Sequence, residues 1–314
     1  MSQVFSGAFL FAAVLQTAPL LLAALGGMFS QQASVLNIAL DGMMLLGAFV
    51  SVSVGGATHS AALAVLAAMA ASVVVALIFA VTTLYLRGNA VVVGIGIGTL
   101  MAGLTVLLLS TLYGNEGYYS PRNPPQLWKI HLGLLSHVWI LGPAFEGQSI
   151  LVLVALLLIP VSWWVLYRTR YGLRVRAVGE EESAAAAAGL HPRTVKMSTI
   201  LISGVLCGLA GAQLAMATLG QFTANMTAGR GYIALAAIFA GAARPIGTAV
   251  ACLVFGLVSS LANQLQLQHY NTDIMLMLPY VVTVAVLLGR PLLHLVRLRR
   301  RERQRALITT TDGN

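Results

Sequence analysis

The sequence predicts an all-α integral membrane protein, a polytopic helix bundle of about 8–10 transmembrane segments with an inverted internal repeat and broken or re-entrant helices. Three observations carry this reading. Of 314 residues, 58% are hydrophobic and 9% charged, against about 25% charged in ordinary soluble domains. The apolar residues gather in runs near the roughly 20 residues that a crossing takes. Two short apolar segments, far apart in the chain, resemble each other and lie in opposite senses. A soluble protein has too little polar surface to cover so much apolar chain, since about 55–60% of a folded surface is already apolar. The solvent is lipid, and residues 1–314 read as one transmembrane unit.

The spans follow in order. Gly7 to Phe29 is the first, and it is expected to be retained because the start lacks a charged n-region and a small-residue cleavage site. Val35 to Val54 is the second, carrying Asn37 and Asp41. Ser60 to Leu86 is long enough to cross with tilt. Val91 to Leu112 carries Gly94, Gly96 and Gly98, which permit close backbone approach. Tyr113 to Gln148 is polar and rich in Pro, Tyr and Trp, a loop whose Tyr118, Tyr119 and Trp128 suit interface anchoring. Ile150 to Tyr167 is the fifth span, with Trp163, Trp164 and Tyr167 at the aromatic-belt position. Met197 to Leu219 and Ile246 to Leu267 are full spans; Tyr232 to Ala243 is short, and Ile274 to Leu288 is the last.

Charge sets the orientation. The formal net charge of +9 would suggest nucleic acid in a soluble protein. Here the bases sit beside apolar runs: Arg168, Arg170, Arg174 and Arg176 in one loop, Arg297 to Arg305 in a basic tail over 291–314. Bases at span ends mark the cytoplasmic side and suit contact with anionic lipid; no nucleic acid is implied. Placing loop and tail on one side requires an even number of crossings between them. The short segment therefore crosses as a broken helix completed by its flanks, giving about nine crossings, the amino terminus outside and the carboxyl terminus inside.

Asn37-Ile-Ala-Leu-Asp-Gly, with Gly47-Ala48 after it, echoes Tyr232-Ile-Ala-Leu-Ala-Ala, with Gly241-Ala242 after it. An odd number of crossings separates the copies, so they run oppositely, as in the inverted repeats whose interrupted segments line transport paths near the midplane. The plainer reading is chance recurrence of I-A-L in an Ala/Leu-rich chain.

The stretch over 169–196 is the one long internal break dense in charge. Gly179 suits an N-cap, Glu180, Glu181 and Glu182 favour a positive helix end, and Ala184 to Ala188 propagate a helix that Gly189 and Pro192 stop. About nine such residues make a helix of roughly 13 Å, either a docking surface or an ordinary solvated connector. Asp41 is the only acid well inside a span. A carboxylate there costs at least about 2.5–3.5 kcal/mol on insertion scales, so it faces a pathway, with Asn37 one turn away, or caps a broken helix near Gln31 and Gln32. Gln213, Asn225 and Tyr232 are further candidates to line a path. Arg230 meets an outside partner or anchors the bundle. Cys207 and Cys252 lie in spans, no cluster has metal-ligand spacing, and no cofactor is expected. The chain has no G-x-x-x-x-G-K-[ST] phosphate loop, so a nucleotide would have to be bound by another chain.

Several stretches resemble one family. Gly26-Gly27-Met-Phe-Ser and Val35 to Phe49 resemble the amino-terminal signature of ABC importer permeases of the ribose and branched-chain amino acid type, nearest the nucleoside (simple sugar) permeases. Tyr171-Gly-Leu-Arg174, Ala177-Val-Gly179, Ala184 to Gly189 and Gly208-Leu-Ala-Gly211 resemble that family's cytoplasmic coupling loop and following span. Gly229 to Gly241, with Pro245 and Gly247, is a third match. Gln31-Gln32 stands where the nucleoside-type permeases usually show an acid and a base, Asp41 where glutamate is usual, and Ala242-Ala243-Arg244 where a bulkier residue precedes the proline.

The resemblance implies a permease subunit in a bacterial cytoplasmic membrane, moving nucleosides or a related sugar-like solute by ATP-driven alternating access. Branched-chain amino acids or another small polar solute are the alternative. Its implied partners are ABC ATPase subunits, a second permease, homologous or identical, an extracytoplasmic substrate-binding protein and membrane lipid. Coupling to the ATPase falls on Arg174, Glu180, Glu181, Glu182, Gly189 and Pro192; the translocation pathway on Asn37, Asp41, Gln213, Asn225 and Tyr232. The rival class is an ion-coupled secondary transporter, which would carry several intramembrane ionisable residues, where this chain shows little beyond Asp41. An intramembrane enzyme ranks third, because no nucleophile–base pair is visible.

Overall fold

A computed structural model describes residues 7–114, 117–122, 127–129, 147–266 and 277–285. The helices are α1 (Gly7–Gln32), α2 (Leu40–Thr58), α3 (Ala61–Ala80, continued by a π-helical turn Val81–Tyr85), α4 (Ala90–Tyr113) and α5 (Ile150–Arg168). Then come α6 (Arg170–Glu180), α7 (Glu182–Ala187), α8 (Pro192–Ala212, continued by a π-helical turn Gln213–Leu219), α9 (Arg230–Ala240) and α10 (Pro245–Gln266). A further helical stretch covers 277–285. Among the described residues, seven helices are long and apolar enough to cross a membrane; α9 is a shorter apolar helix.

Contacts fix which helix ends share a face of the bundle. The end of α1 meets the 169–196 loop, where a Cβ on Gly179 would come within 2.0 Å of the Gln32 carbonyl. Arg193 at the start of α8 lies 5.9 Å over the Tyr85 ring at the end of α3. At the other face, Gly56 of α2 packs on Tyr119 and Pro121, and Tyr113 at the end of α4 stacks on Tyr119 with centroids 3.6 Å apart. There β1 (Tyr118–Tyr119) pairs antiparallel with β2 (Phe222–Thr223), Tyr118 opposite Thr223 and Tyr119 opposite Phe222. Phe222 turns its ring edge-on to Phe49 at 5.3 Å, pinning this clasp to α2. Most of the sequence from Tyr113 to Gln148, the basic tail and the ends of the last span fall outside the described residues.

The helices pair as an inverted repeat requires. α1 packs along α10 as α8 packs along α3, and α1 and α8 pack on each other. The three-residue echo is not in register with this symmetry: Ile38 and Ala39 precede the start of α2, whereas Ile233 and Ala234 lie inside the first turn of α9.

Small residues set the spacing. A Cβ on Gly211 of α8 would come within 2.3 Å of the Met44 carbonyl of α2, and one on Gly208 within 2.7 Å of the Ala68 carbonyl of α3. Lipid supplies no hydrophobic drive for helix association, so this close packing is what holds the spans together. In α4 the glycine series divides: Gly94 and Gly98 face Ile38 and Tyr232, while Gly96 and Gly103 face open space.

Several elements differ from the sequence expectation. α2 begins at Leu40, so Asn37 lies in the break before it; its side-chain oxygen accepts the Ala39 N–H at 3.1 Å, a local turn that competes with helix. Pro192 opens α8 instead of closing the loop helix, as suits a residue with no N–H to lose in a first turn. Glu181 breaks the loop helix in two, so the single helix expected from Gly179 is the end of α6 followed by the short α7.

The end of α9 generates a prediction. Ala243 N–H donates to the Ile238 carbonyl at 2.8 Å and Ala242 N–H to Phe239 at 3.0 Å, a Schellman turn that places Ala242 at φ 55° where glycine is usual. Relief of that left-handed conformation is worth about 1 kcal/mol. Ala242→Gly is therefore expected to raise the melting temperature of the purified protein by a few degrees, at about 4 °C or less per kcal/mol for a chain of this size. Ala237→Gly, inside the helix, should lower it, as glycine there costs about 0.5–1 kcal/mol.

Candidate translocation site and coupling loop

α9 has eleven residues, about 16 Å, or roughly half the 30 Å hydrocarbon core. Its far end lies at the 169–196 face, because the Gln32 amide donates to the Ala243 carbonyl at 2.6 Å. Its start is therefore near the middle of the bundle. There it meets the start of α2.

The two N-termini touch through Asp41 and Gly231. The Gly231 N–H donates to Asp41 Oδ1 at 2.9 Å, and the Thr227 hydroxyl donates to Oδ2 at 3.2 Å. Gly229, at the N-cap position of α9, has no side chain for the task, so Asp41 caps α9 from α2. A Cβ at residue 231 would lie 2.4 Å from the Asp41 backbone, which only glycine avoids. Asp41 is 8% exposed. Arg230, in the same turn, donates to Gln16 Oε1 at 3.0 Å, and the Tyr280 hydroxyl donates to the Ala228 carbonyl at 2.6 Å.

The other sequence candidates divide around this point. Asn37 donates to the Ser203 hydroxyl at 2.9 Å and is buried, so it ties the α2 break to α8 instead of sharing a helix face with Asp41. Gln213 is buried past the end of α8, at the face opposite the 169–196 loop, accepting from the Ser149 hydroxyl at 2.6 Å; its amide nitrogen has no partner among the described residues. Asn225 is exposed in the turn before α9 at φ 56°. Tyr232 is 42% exposed, its hydroxyl beside Gly98. Tyr232 and Phe239, seven residues apart on α9, thus belong to an uncovered side of the bundle. Asp41 caps α9 and not, as the sequence suggested, a break near Gln31 and Gln32.

In the loop, Thr169 caps α6 by accepting the Gly172 N–H at 3.2 Å. Val175 and Val178 face inward, and the Tyr171 and Ser198 hydroxyls bond at 2.8 Å; burial pushes the Tyr171 phenol above its ordinary value. Glu181 caps α7, accepting from the Ser183 hydroxyl at 2.6 Å and its N–H at 3.3 Å, and those two bonds hold its carboxyl below the ordinary value. The cap is present at neutral pH and is lost as pH falls through that lowered value. Glu182 pairs with Lys196 at 2.5 Å. Gly189, at φ 81°, ends α7 with Leu190 N–H on the Ala185 carbonyl at 3.1 Å. Arg174, Glu180 and Glu181 are exposed, and so is Leu173 at 61%, leaving a charged surface with one apolar side chain.

Sequence reasoning missed Thr227 and Gln32 as partners. Thr227 stands in a polar break, and Gln32 enters the sequence reading as a departure from the family pattern and as a break that Asp41 could cap; neither signal names its contact.

Residues 9–287 match the family described as the permease component of branched-chain amino acid transport systems. The chain belongs to this permease family. It is 36% identical over 289 residues to the guanosine ABC transporter permease protein NupQ of Bacillus subtilis, covering 88% of this chain and 90% of that one. It is 33% identical to the nucleoside ABC transporter permease protein NupC of Lactococcus lactis, covering 87% and 89%. The ribose import permease protein RbsC of Escherichia coli is 26% identical, covering 81% and 77%. No solved structure gives a significant match.

Asp41→Ala is expected to leave the Gly231 N–H and Thr227 hydroxyl without an acceptor, costing about 1–3 kcal/mol and abolishing transport. Asp41→Asn keeps a carbonyl acceptor and should retain part of it. Equal loss in both variants, with the fold intact by melting, would show that charge and not capping is the requirement.

Proposed function

We propose that this chain is the membrane-spanning permease subunit of an ABC importer for nucleosides. The observation that carries the reading is the meeting of the α2 and α9 N-termini at Asp41, beside the open side bearing Tyr232. Each helix N-terminus carries about +0.5 charge, and Arg230 adds a cation, so one carboxylate leaves the site net positive. Such a field disfavours cations and suits solutes that present hydrogen-bond acceptors, as a nucleoside does. The similarity to guanosine and nucleoside permeases supports the same class.

The loop of α6 and α7 serves as the cytoplasmic coupling surface. Arg174, Glu180, Glu181 and Glu182 face an ATPase there, Gly189 ends the docking helix and Pro192 starts the span that receives the motion. The arginine density of the loop supports a cytoplasmic position for it, with the carboxyl terminus on the same side; the similarity to permeases of Bacillus subtilis and Lactococcus lactis supports a bacterial membrane. A second permease, homologous or identical, covers the open side so that a path forms between the two; Tyr232 and Asn225 line it, and Asn37 and Gln213 brace its walls. A substrate-binding protein docks at the opposite face and supplies most of the selectivity. The family description names branched-chain amino acids, and this is the second reading.

The test is uptake into proteoliposomes carrying this chain with its ATPase, its second permease and its binding protein. ATP-dependent accumulation of labelled guanosine, unaffected by a hundredfold excess of leucine, is expected. Uptake of leucine with no uptake of guanosine would decide for the second reading. Uptake driven by an ion gradient without the ATPase would overturn both.

The contact between loop and bundle gives a separable outcome. Gln32 carries α6 on its carbonyl and α9 on its side chain. Gln32→Ala should keep complex assembly and basal ATP hydrolysis but lose about fivefold in solute moved per ATP, the loss of one hydrogen bond being about 1 kcal/mol in coupling. Unchanged stoichiometry would remove Gln32 from the coupling route.

A further inference from the structure

A groove between α5 and α10 holds two cavities at successive levels. At the 169–196 face, a cavity of about 520 Å³ is walled by Trp163 and Tyr167 of α5 and by Arg244 and the first turn of α10. Further along both helices, its nearest lining residues seven positions on (Trp163 to Leu156, Ile246 to Leu253), a second cavity of about 260 Å³ is walled by aliphatic side chains of α5 and α10 over a floor of α1. The helices are antiparallel, so the separation is about 10 Å on both walls at 1.5 Å per residue. The two cavities lie in line.

Their chemistry differs in a consistent way. The first is cationic and aromatic: Arg244 lines it, the Arg168 guanidinium lies 5.9 Å over the Trp163 ring and Arg176 lies 5.0 Å over Tyr167. None of these three arginines has a carboxylate partner among the described residues, where the single ion pair is Lys196 with Glu182. The first turn of α10 opens beside them; Pro245 has no N–H and the Thr248 N–H donates to the Arg244 carbonyl at 2.8 Å, so the donors at this wall are the Ile246 and Gly247 N–H groups. The second cavity is apolar but for one hydroxyl, on Thr17, whose proton is donated to the Ala13 carbonyl at 2.7 Å. Leu156 and Leu253 are exposed at its mouth, which opens sideways toward the membrane.

We propose that this groove binds one anionic phospholipid, its phosphate held by Arg244 with Arg168 and Arg176 nearby, and one acyl chain in the aliphatic cavity. A phosphate-bearing head at the level of the aromatic belt, with a chain running along the bundle, matches both cavities and the distance between them. A soluble phosphate would satisfy only the first cavity, and a neutral lipid only the second. The site requires that the bundle span a membrane and does not depend on which solute it carries. It also places a lipid against the α9–α10 turn, whose Ala243 carbonyl receives Gln32.

Native mass spectrometry of the assembled complex, extracted from vesicles of equal phosphatidylglycerol and phosphatidylcholine, tests this. One phosphatidylglycerol retained per copy of this chain, in preference to phosphatidylcholine, is expected. Arg244→Gln should cut that retention about fivefold, the effect of one cation near a lipid phosphate. Leu156→Trp, which fills the apolar cavity from its rim, should cut it without touching the arginines, and melting curves check that both variants fold. Equal retention of the two lipids would overturn the proposal, as would indifference to both substitutions. Displacement of the lipid by millimolar inorganic phosphate would assign the cationic cavity to a free anion. Retention by the isolated chain with loss on assembly would assign the groove to a protein partner.

Discussion

The structure depends on two helix N-termini brought together inside a membrane. Alone they repel, each carrying about +0.5 charge, and Arg230 adds to that repulsion. Water is absent there, so first-turn N–H groups have no solvent to bond. Asp41 answers both problems at once. Its carboxylate supplies the opposite charge and accepts from Gly231 and Thr227, while its own place in the first turn of α2 keeps it beside the second positive end. The absence of a side chain at residue 231 permits the contact. The two halves of the repeat are thus joined by an electrostatic requirement that neither half satisfies alone.

α9 is the element that this arrangement holds most distinctly as a unit. It is gripped at both ends by the stretch around one break of the first half, by Asp41 at its start and Gln32 at its finish. The turns that flank it hold non-glycine residues in the left-handed region, Asn225 and Ala228 on one side and Ala242 and Ala243 on the other. Strain of this kind persists where the surroundings over-determine it and collects at elements that switch. Gln32 lies against Gly179 of α6, so one residue touches both the loop and α9. The route is short and made of contacts that hydrogen bonding and van der Waals packing define.

Much of this was legible in the sequence because a membrane imposes coarse rules. Length and apolarity gave the order of spans, and a short crossing completed by its flanks followed from where the arginines lie. Asp41 stood out because a carboxylate within a span demands a partner. The partner itself was hidden: it lies 190 residues away, and hydropathy reports the solvent of a segment, not its neighbour. The loop was legible as a charged surface but not as two helices, because Glu181 was counted as one of three acids at a helix start when its side chain caps a new one. The glycines of α4 promised close approach without saying which would be used. Gly94 and Gly98 meet neighbours and Gly96 does not, a distinction set by which side of α4 the rest of the chain covers.

The scarcity of polar side chains in the spans is then a consequence of the design. Where helices break, backbone groups that a continuous helix would satisfy become available, and the breaks before α2 and α9 supply them with few charged residues, Asp41 and Arg230. Only one carboxylate is needed to hold the two breaks together. A path built on helix ends presents a field to a passing solute but few specific hydrogen bonds, so it discriminates by charge and acceptor pattern more than by exact shape. Tight recognition would slow release, whereas a permease must let go on the far side. A weakly selective path inside the membrane therefore fits a division of labour in which selectivity is exerted before the solute arrives.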